Sequence, residues 1–345
     1  MIYSPREVFS QKMRVFGRFT ILISTASLAL LLSGCMGSPH STDEHYFLVA
    51  TNIKVPYWQT ALAGLNQARA EMRVKAELVG PETYDTKGEA QEFRSVVAQN
   101  PTGILISAGD AQVMSPEIDS ALGKGIPVLT VDSDAPDSKR LFFVGTDNYK
   151  AGTEGGQLTA KLLNEKGNVV VLTMPDQANL KERLHGYKDA FDQHPDVKIT
   201  EVIDMQGRPE VAFDRTKEVL DNKKSKVDAF VCLEAIACPE VADVVDREKM
   251  IGKVVIVAMD TDQRTLEAIQ KGAISATIAQ KPFTMAYYGL KLLDDVHHHK
   301  PNPLIANWAQ DSFSRFPTFV DTGASLIDKS NVATFLQQQQ SSANQ

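Results

Sequence analysis

The sequence lacks the features that mark several large classes of protein. Its 345 residues include only three cysteines, so no dense disulfide framework holds the chain and a hydrophobic core must do so. Basic residues are not in excess, because 36 Lys and Arg stand against 43 Asp and Glu, for a formal net charge of -7. Without a basic surface the chain is not expected to bind nucleic acid.

Motifs of catalysis are missing as well. The chain has no G-x-S-x-G elbow, no H-E-x-x-H pair, no Walker glycine loop and no G-x-G-x-x-G fingerprint. The glycine cluster from Gly152 to Gly156 lacks the required lysine and spacing, and it indicates the close packing of a helix start. The consecutive His297, His298 and His299 would point about 100° apart on a helix and cannot share one face. We therefore expect no enzyme activity, no cofactor and no bound metal.

The first segment of the chain has the architecture of a secretory signal. Basic residues precede an uncharged stretch from Thr20 to Leu32, which is shorter than the about 20 apolar residues of a membrane span. It ends in Leu32-Ser33-Gly34-Cys35, which resembles the bacterial lipobox, and this resemblance implies that Cys35 is acylated and becomes the mature N-terminus. An ordinary signal, or a short core helix with an accidental cysteine, is the alternative.

These features predict a location in the cell envelope. We expect residues 1–35 to be a lipoprotein signal peptide and residues 36–44 to be a flexible leash. The protein would then be periplasmic or extracytoplasmic, with a membrane as its partner through the lipid anchor at Cys35. The two other cysteines, Cys232 and Cys238, either form a short disulfide, which such a compartment permits, or remain two separate buried thiols.

After the leash, short β-rich runs alternate with longer amphipathic segments. The predicted strands are Tyr46 to Thr51, Ala76 to Val79, Gly103 to Ser107, Pro127 to Val131, Leu141 to Val144, Asn168 to Thr173, Ile199 to Ile203, Asp228 to Leu233, Val254 to Met259 and Ser275 to Ala279. Predicted helices lie between most of them, and a further helix from Phe283 to His297 follows the last. Continuous apolar strands that alternate with helices predict parallel sheets buried on both faces, so the fold class is α/β.

The two halves of the chain repeat one pattern. In each half a strand, a helix and a second strand are followed by a carboxylate, which is Asp132 in the first half and Asp260 in the second. Ligands of open parallel sheets bind beyond the carboxyl ends of the strands, so both aspartates are candidates for one site in a cleft between two lobes. The alternative is that each aspartate caps the following helix.

Several segments together carry a family resemblance. They are Pro56-Tyr57-Trp58, Val131-Asp132, Gly145-Thr146-Asp147-Asn148, Glu182-Arg183, Phe213-Asp214-Arg215, Met259-Asp260 and Ala276-Thr277-Ile278-Ala279-Gln280-Lys281-Pro282. In this order they resemble the ribose-binding branch of the periplasmic sugar-binding proteins. The resemblance implies the type I periplasmic binding protein fold, in which two similar lobes, each a parallel sheet flanked by helices, are joined by a three-segment hinge.

The resemblance also implies where each lobe begins and ends. Residues 45–147 and 281–310 would form the N-terminal lobe, and residues 148–280 and 311–325 the C-terminal lobe. Residues 326–345 would be a C-terminal segment whose polar tail, from Gln337 onward, is disordered.

The matching positions imply a set of ligand-binding residues. Aromatic rings would stack on a sugar, carboxylates would accept hydrogen bonds from its hydroxyls, and a guanidinium and an amide would complete the site. The set is Tyr57, Trp58, Asp132, Arg183, Phe213, Glu234, Asp260 and Gln280. For Tyr57 and Trp58 the alternative is an ordinary core role, and for Arg183 it is a solvated helix-face charge.

Three departures from the ribose-type pattern bear on the ligand. Val55 replaces an asparagine, Ser133 replaces an arginine and Glu234 replaces another asparagine. The site loses positive charge and gains a carboxylate, and unpaired like charge in a desolvated pocket is costly. We therefore expect a neutral or amine-bearing sugar or polyol rather than a sugar acid or phosphate.

The function implied is that of a lipid-anchored substrate-binding component of an ABC-type sugar importer. Its partners would be a small sugar or polyol and an ABC permease in the membrane, and we expect a monomer that closes by hinge motion at Asp147 and Gln280. A sensory binding protein of the same fold, which presents its ligand to a chemoreceptor or sensor kinase, is the alternative. A transcription regulator of this fold would need a helix-turn-helix ahead of Tyr46, where the lipobox-like segment lies instead. An anchored glycoside hydrolase is a further alternative, and it would use Asp132 and Asp260 as a carboxylate pair.

Overall fold

The computed structural model describes residues 40–222 and 226–343. The lipobox with Cys35 and the signal peptide lie outside the described residues. The chain from Asp43 onward forms one compact unit. Within the described ranges, no helix has both the length and the apolar character needed to cross a bilayer.

Twelve strands of the described residues form two sheets. The first sheet contains β1 (His45–Val49), β2 (Lys75–Val79), β3 (Gly103–Ile106), β4 (Val128–Val131), β5 (Phe143–Gly145) and β11 (Phe319–Asp321), in the order β11-β5-β4-β3-β1-β2. The second sheet contains β6 (Gly167–Thr173), β7 (Val197–Asp204), β8 (Ala229–Cys232), β9 (Val255–Met259), β10 (Ala276–Ala279) and β12 (Ser325–Asp328), in the order β12-β10-β9-β8-β6-β7. All neighbouring strands are parallel except β12, which runs antiparallel to β10.

Helices connect the strands and cover both sheets. They are α1 (Pro56–Met72), α2 (Thr86–Ala98), α3 (Ala111–Gly123), α4 (Asn148–Leu162), α5 (Ala178–Asp192), α6 (Pro209–Asp221), α7 (Ala237–Arg247), α8 (Gln263–Lys271), α9 (Pro282–His298) and α10 (Val332–Ala343). We call the first sheet with α1, α2, α3 and α9 the first lobe, and the second sheet with the remaining helices the second lobe. Each sheet has its own buried hydrophobic cluster, so the predicted α/β fold of two lobes is confirmed.

Helix ends follow the sequence signals expected for them. The α8 helix begins after Asp262, whose carboxylate accepts hydrogen bonds from the backbone N–H of Arg264 (2.9 Å) and Thr265 (3.3 Å). It ends at Gly272, which adopts the left-handed conformation with φ of 79°. A proline opens α1, α6 and α9, where its missing N–H costs no helical hydrogen bond.

The chain passes between the lobes three times. It leaves the first lobe after β5, returns after β10 to form α9 against α1 and the first sheet, and crosses again between β11 and β12. The three-segment hinge implied by the family resemblance is therefore present.

Two predictions about the late part of the chain are wrong. Residues 311–325 were expected in the second lobe, but β11 pairs with β5 in the first sheet, where the Phe319 ring stacks on Phe143 with 5.3 Å between centroids. The tail was expected to be disordered from Gln337, but α10 continues to Ala343. The buried Val332 anchors this helix on the second core, and glutamine is a good helix former.

The glycine cluster was interpreted as the close packing of a helix start, and it lies within α4, which begins at Asn148. A Cβ atom on Gly152 would lie 2.1 Å from the carbonyl oxygen of Arg183, and one on Gly186 would lie 2.2 Å from that of Tyr149. Only glycine therefore allows α4 and α5 to approach this closely.

The two cysteines of the second lobe form a disulfide. The Cα atoms of Cys232 and Cys238 lie 5.7 Å apart, within the range that a disulfide requires. The bridge joins the end of β8 to the first turn of α7 and closes a short loop from Leu233 to Ala237.

Candidate ligand-binding cleft

A cavity of about 80 Å³ lies between the two lobes, at the carboxyl ends of the strands. Seven of the eight predicted site residues line it, and they come from both lobes: Tyr57, Trp58, Asp132, Arg183, Glu234, Asp260 and Gln280. Residues far apart in the sequence thus meet in one cleft.

The two aspartates occupy equivalent positions in their lobes. Asp132 follows β4 and Asp260 follows β9, and both have a left-handed backbone, with φ of 63° and 68°. The backbone N–H of Asp132 donates to Val144 of the neighbouring strand (3.1 Å), and that of Asp260 donates to Ile278 (2.8 Å). The repeated pattern in the sequence therefore corresponds to repeated geometry. The α8 helix is capped by Asp262 and not by Asp260, so helix capping does not explain the second aspartate.

Hydroxyl groups hold the Asp132 carboxylate in place. Tyr57 donates to its Oδ1 (2.6 Å) and Ser107 donates to its Oδ2 (2.9 Å). Tyr57 lies in the first turn of α1, and its ring meets Trp58 edge to face with 5.3 Å between centroids. Each carboxylate oxygen keeps a further lone pair for a ligand hydroxyl.

Arg183 is buried in the second lobe, with 2% of its surface exposed. Its Nε donates to Asn148 (2.9 Å), its Nη1 to the carbonyl of Leu233 (2.6 Å) and its Nη2 to Gln280 (2.7 Å). Gln280 in turn donates its Nε2 to Asp260 (3.0 Å). The alternative of a solvated helix-face charge is wrong for Arg183, because the guanidinium organises the second-lobe half of the cleft.

Glu234 lies inside the disulfide-closed loop. Its carboxylate accepts hydrogen bonds from the backbone N–H of Ile236 (2.7 Å) and Ala237 (2.9 Å), so it holds the start of α7. Burial raises its pKa to about 7, despite these hydrogen bonds. The side chain that replaces the expected asparagine therefore serves the loop as well as the wall of the cleft.

Carboxylates outnumber cations in the cleft. Burial raises the pKa of Asp260 to about 6 and also raises the pKa of Asp132, while Arg183 opposes both shifts. Nearby in the first lobe, burial raises the pKa of Glu89 to about 8, although its Oε2 accepts a hydrogen bond from Gly109 (2.9 Å). Burial therefore makes these carboxyl groups easier to protonate than they are in water.

The unfolding free energy of the ligand-free protein is expected to fall as the pH rises from about 5 to about 8.5. Glu89, Glu234 and Asp260 have folded-state pKa values of about 8, 7 and 6, above the roughly 4 of the unfolded chain. In this window the folded state binds protons that the unfolded state has lost, so their contribution to stability is present at low pH and disappears as the pH passes each folded pKa.

Urea unfolding at about pH 5.5 and about pH 8.5 measures this dependence. The Glu234→Gln variant, which cannot titrate at that position, should show a smaller difference between the two conditions. Higher stability at the alkaline condition would contradict the prediction.

Phe213 does not line the cleft, contrary to its predicted role. It lies on α6, half-buried, with the guanidinium of Arg247 5.0 Å from its ring centroid. The face of α6 that carries Phe213 is turned toward α7. The sequence alone did not show which face of α6 the cleft would meet.

Sequence reasoning missed other residues of the cleft. Tyr84 and Asn179 both line it. Tyr84 follows β2, and its hydroxyl donates to the carbonyl of Gly109 (3.3 Å). A Cβ atom on Gly207 would lie 2.4 Å from the Cβ of Tyr84, so the two lobes touch here. Tyr84 lies within the loop between β2 and α2 and not directly after a strand as Asp132 does, so the strand-end signal did not single it out.

Comparisons with known proteins agree on one family. Residues 46–301 match the family described as periplasmic binding protein domain. A sugar-binding protein of a sugar ABC transporter from Bacillus halodurans is 31% identical, with a TM-score of 0.74 over 85% of this chain and 100% of that chain. An arabinose-binding protein from Geobacillus stearothermophilus is 32% identical, with a TM-score of 0.70 over 85% of this chain and 99% of that chain. The ribose import binding protein of Bacillus subtilis strain 168 is 23% identical over 81% of this chain and 93% of its own length.

Proposed function

Because the chain belongs to the periplasmic binding protein family, we propose that it is the lipid-anchored substrate-binding component of an ABC-type sugar importer. Its ligand is a neutral or amine-bearing sugar or polyol, captured between two lobes that close by hinge motion. Family membership confirms that the chain is a binding protein rather than an enzyme and that it functions outside the cytoplasm. The anchor at Cys35 and the monomeric state are part of the proposal.

One observation carries the proposal. Asp132 and Asp260 face one interlobe cavity from equivalent positions, beside the Tyr57 and Trp58 rings. A polyol offers hydroxyl donors to both carboxylates and an apolar C–H face to the rings. Closure around such a ligand removes water from its hydrogen bonds and strengthens each of them.

The charge of the cleft supports the choice of ligand class. Three carboxylates, Asp132, Glu234 and Asp260, line the cavity together with Arg183, and the pKa of each carboxyl group is raised by burial. An anionic ligand would add a further negative charge to a desolvated site. A hydroxyl group adds none, and an ammonium group would balance the charge.

A thermal-shift panel tests the proposal. The panel contains neutral pentoses, hexoses and inositols, together with amino sugars. At least one of them is expected to raise the melting temperature, because a ligand that binds only the folded state stabilises it by mass action. Sugar acids and sugar phosphates are expected to give no shift. Hits are then measured by calorimetry.

Two outcomes would refute the ligand class. One is a glucuronate or sugar phosphate that binds more tightly than every neutral sugar. The other is a full panel without any shift. Uptake of the identified ligand by cells with and without the gene then separates import from sensing.

A further inference from the structure

A second cavity, of about 200 Å³, adjoins the cleft. The two cavities share the side chains of Tyr57 and Asp260, together with Val55, Ala235 and Ile236. We call this space the side cavity. A ligand held by Asp260 would therefore have open space beside it that the sugar cleft does not account for.

Four prolines contribute to the apolar wall of the side cavity. They lie in the first turns of four different helices, α1, α6, α7 and α9, and are Pro56, Pro209, Pro239 and Pro282. A helix start normally offers free N–H groups to an anion, but proline has no N–H. Each of these helix starts therefore offers one N–H group fewer and presents apolar ring carbons, and Val55, Ala235 and Ile236 extend the apolar wall.

The charged side chains at the side cavity already have partners. Arg264 forms ion pairs with Glu240 (2.5 Å) and Asp243 (3.3 Å). Asp262 accepts the backbone N–H groups at the start of α8. The group that fills the side cavity is therefore expected to be apolar.

The walls of the side cavity are also stiff. Proline rings have a fixed backbone φ, and the loop that carries Ala235 and Ile236 is closed by the disulfide between Cys232 and Cys238. A preformed apolar wall costs little ordering when a ligand binds.

We propose that the ligand is a glycoside, with its sugar ring in the cleft and an apolar aglycone, aryl or alkyl, in the side cavity. This rests on the proposed sugar-binding function and narrows its substrate class. Tyr57 and Asp260 line both spaces, and the glycosidic oxygen would lie beside them.

Paired glycosides test this inference. Methyl and phenyl glycosides of each sugar that raises the melting temperature in the thermal-shift panel, in both anomeric forms, are titrated into the whole chain by calorimetry, alongside the free sugars. For the sugar that binds, the phenyl glycoside is expected to bind about tenfold or more tightly than the methyl glycoside, because its ring is buried on apolar wall.

A matched pair of variants locates the effect. Thr60 is an exposed residue of α1 that lines the side cavity and not the cleft, so Thr60→Trp should fill the side cavity. This variant is expected to abolish the phenyl preference and to leave the affinity for the methyl glycoside unchanged. Gln67→Trp places the same side chain two turns further along α1, and it should keep the preference.

The possible failures are distinguishable. If no sugar of the full panel and no glycoside binds, the proposed function fails. If a free sugar binds but the phenyl and methyl glycosides bind equally, the inference alone is overturned. It is also overturned if a free sugar binds and no glycoside does, because the sugar would then be enclosed on all sides.

Discussion

Replacing Asp132 with asparagine is expected to weaken ligand binding by a factor of about 100 or more. A hydrogen bond to a charged acceptor contributes about 1.5–3 kcal/mol, and the carboxylate is positioned by Tyr57 and Ser107 to accept from neighbouring hydroxyls. Asparagine has the same shape and tolerates the left-handed backbone at this position. The loss should therefore come from the removed charge and from the acceptor oxygen that the amide NH2 group replaces, without a change of shape, and Asp260→Asn should behave in the same way.

The same variant separates binding from stability. Burial raises the pKa of Asp132, so its charged form opposes folding near neutral pH. Removing this charge offsets the hydrogen bond that the amide NH2 group cannot accept from Tyr57 or Ser107, and Asp132→Asn should unfold at about the same urea concentration as the unmodified protein. The exposed Asp137, changed to asparagine, is the control and should alter neither property. Calorimetry and urea unfolding measure the two effects. If Asp132→Asn binds the ligand with full affinity, then the Asp132 carboxylate does not take part in binding.

Replacing Arg183 with methionine is expected to lower the free energy of unfolding by about 3–5 kcal/mol. The guanidinium donates to Asn148, Leu233 and Gln280 in a fully buried site. Methionine fills similar space but leaves these three acceptors without a donor, and it leaves the carboxylates of the cleft without their cation.

Two further variants define this effect. Arg183→Lys keeps the charge but cannot reach three diverging acceptors, so it should be intermediate. Lys188→Met removes an exposed cation from the same helix and should change stability little. If Arg183→Met unfolds like the unmodified protein, then the network around Arg183 does not stabilise the second lobe.

Most of the fold was predictable from the sequence, because a strand that is buried on both faces is a continuous run of apolar residues. Strands such as Gly103–Ile106 are apolar on both faces, which only a covered parallel sheet requires. The β11 strand shows no such apolar run, since it is short and partly exposed. It is placed by its pairing with β5, which is distant in the sequence. Its position depends on tertiary contacts that no local pattern contains.

The candidate site was predictable where strand ends fix it. Asp132 and Asp260 follow buried strands, so their direction was determined by the sheets. Phe213 was misplaced because the outward face of an amphipathic helix depends on its neighbours. The disulfide was left open for a similar reason, since the 5.7 Å between the Cα atoms of its cysteines arises from the packing of β8 and α7.

The interleaved path of the chain has a consequence for biosynthesis. The first lobe takes its covering helix from residues 282–298 and its edge strand from residues 319–321. During translation, the first lobe therefore cannot be completed until the residues up to Asp321 have left the ribosome. A C-terminal truncation before β11 would leave both halves unfinished, each with an uncovered sheet margin open to aggregation.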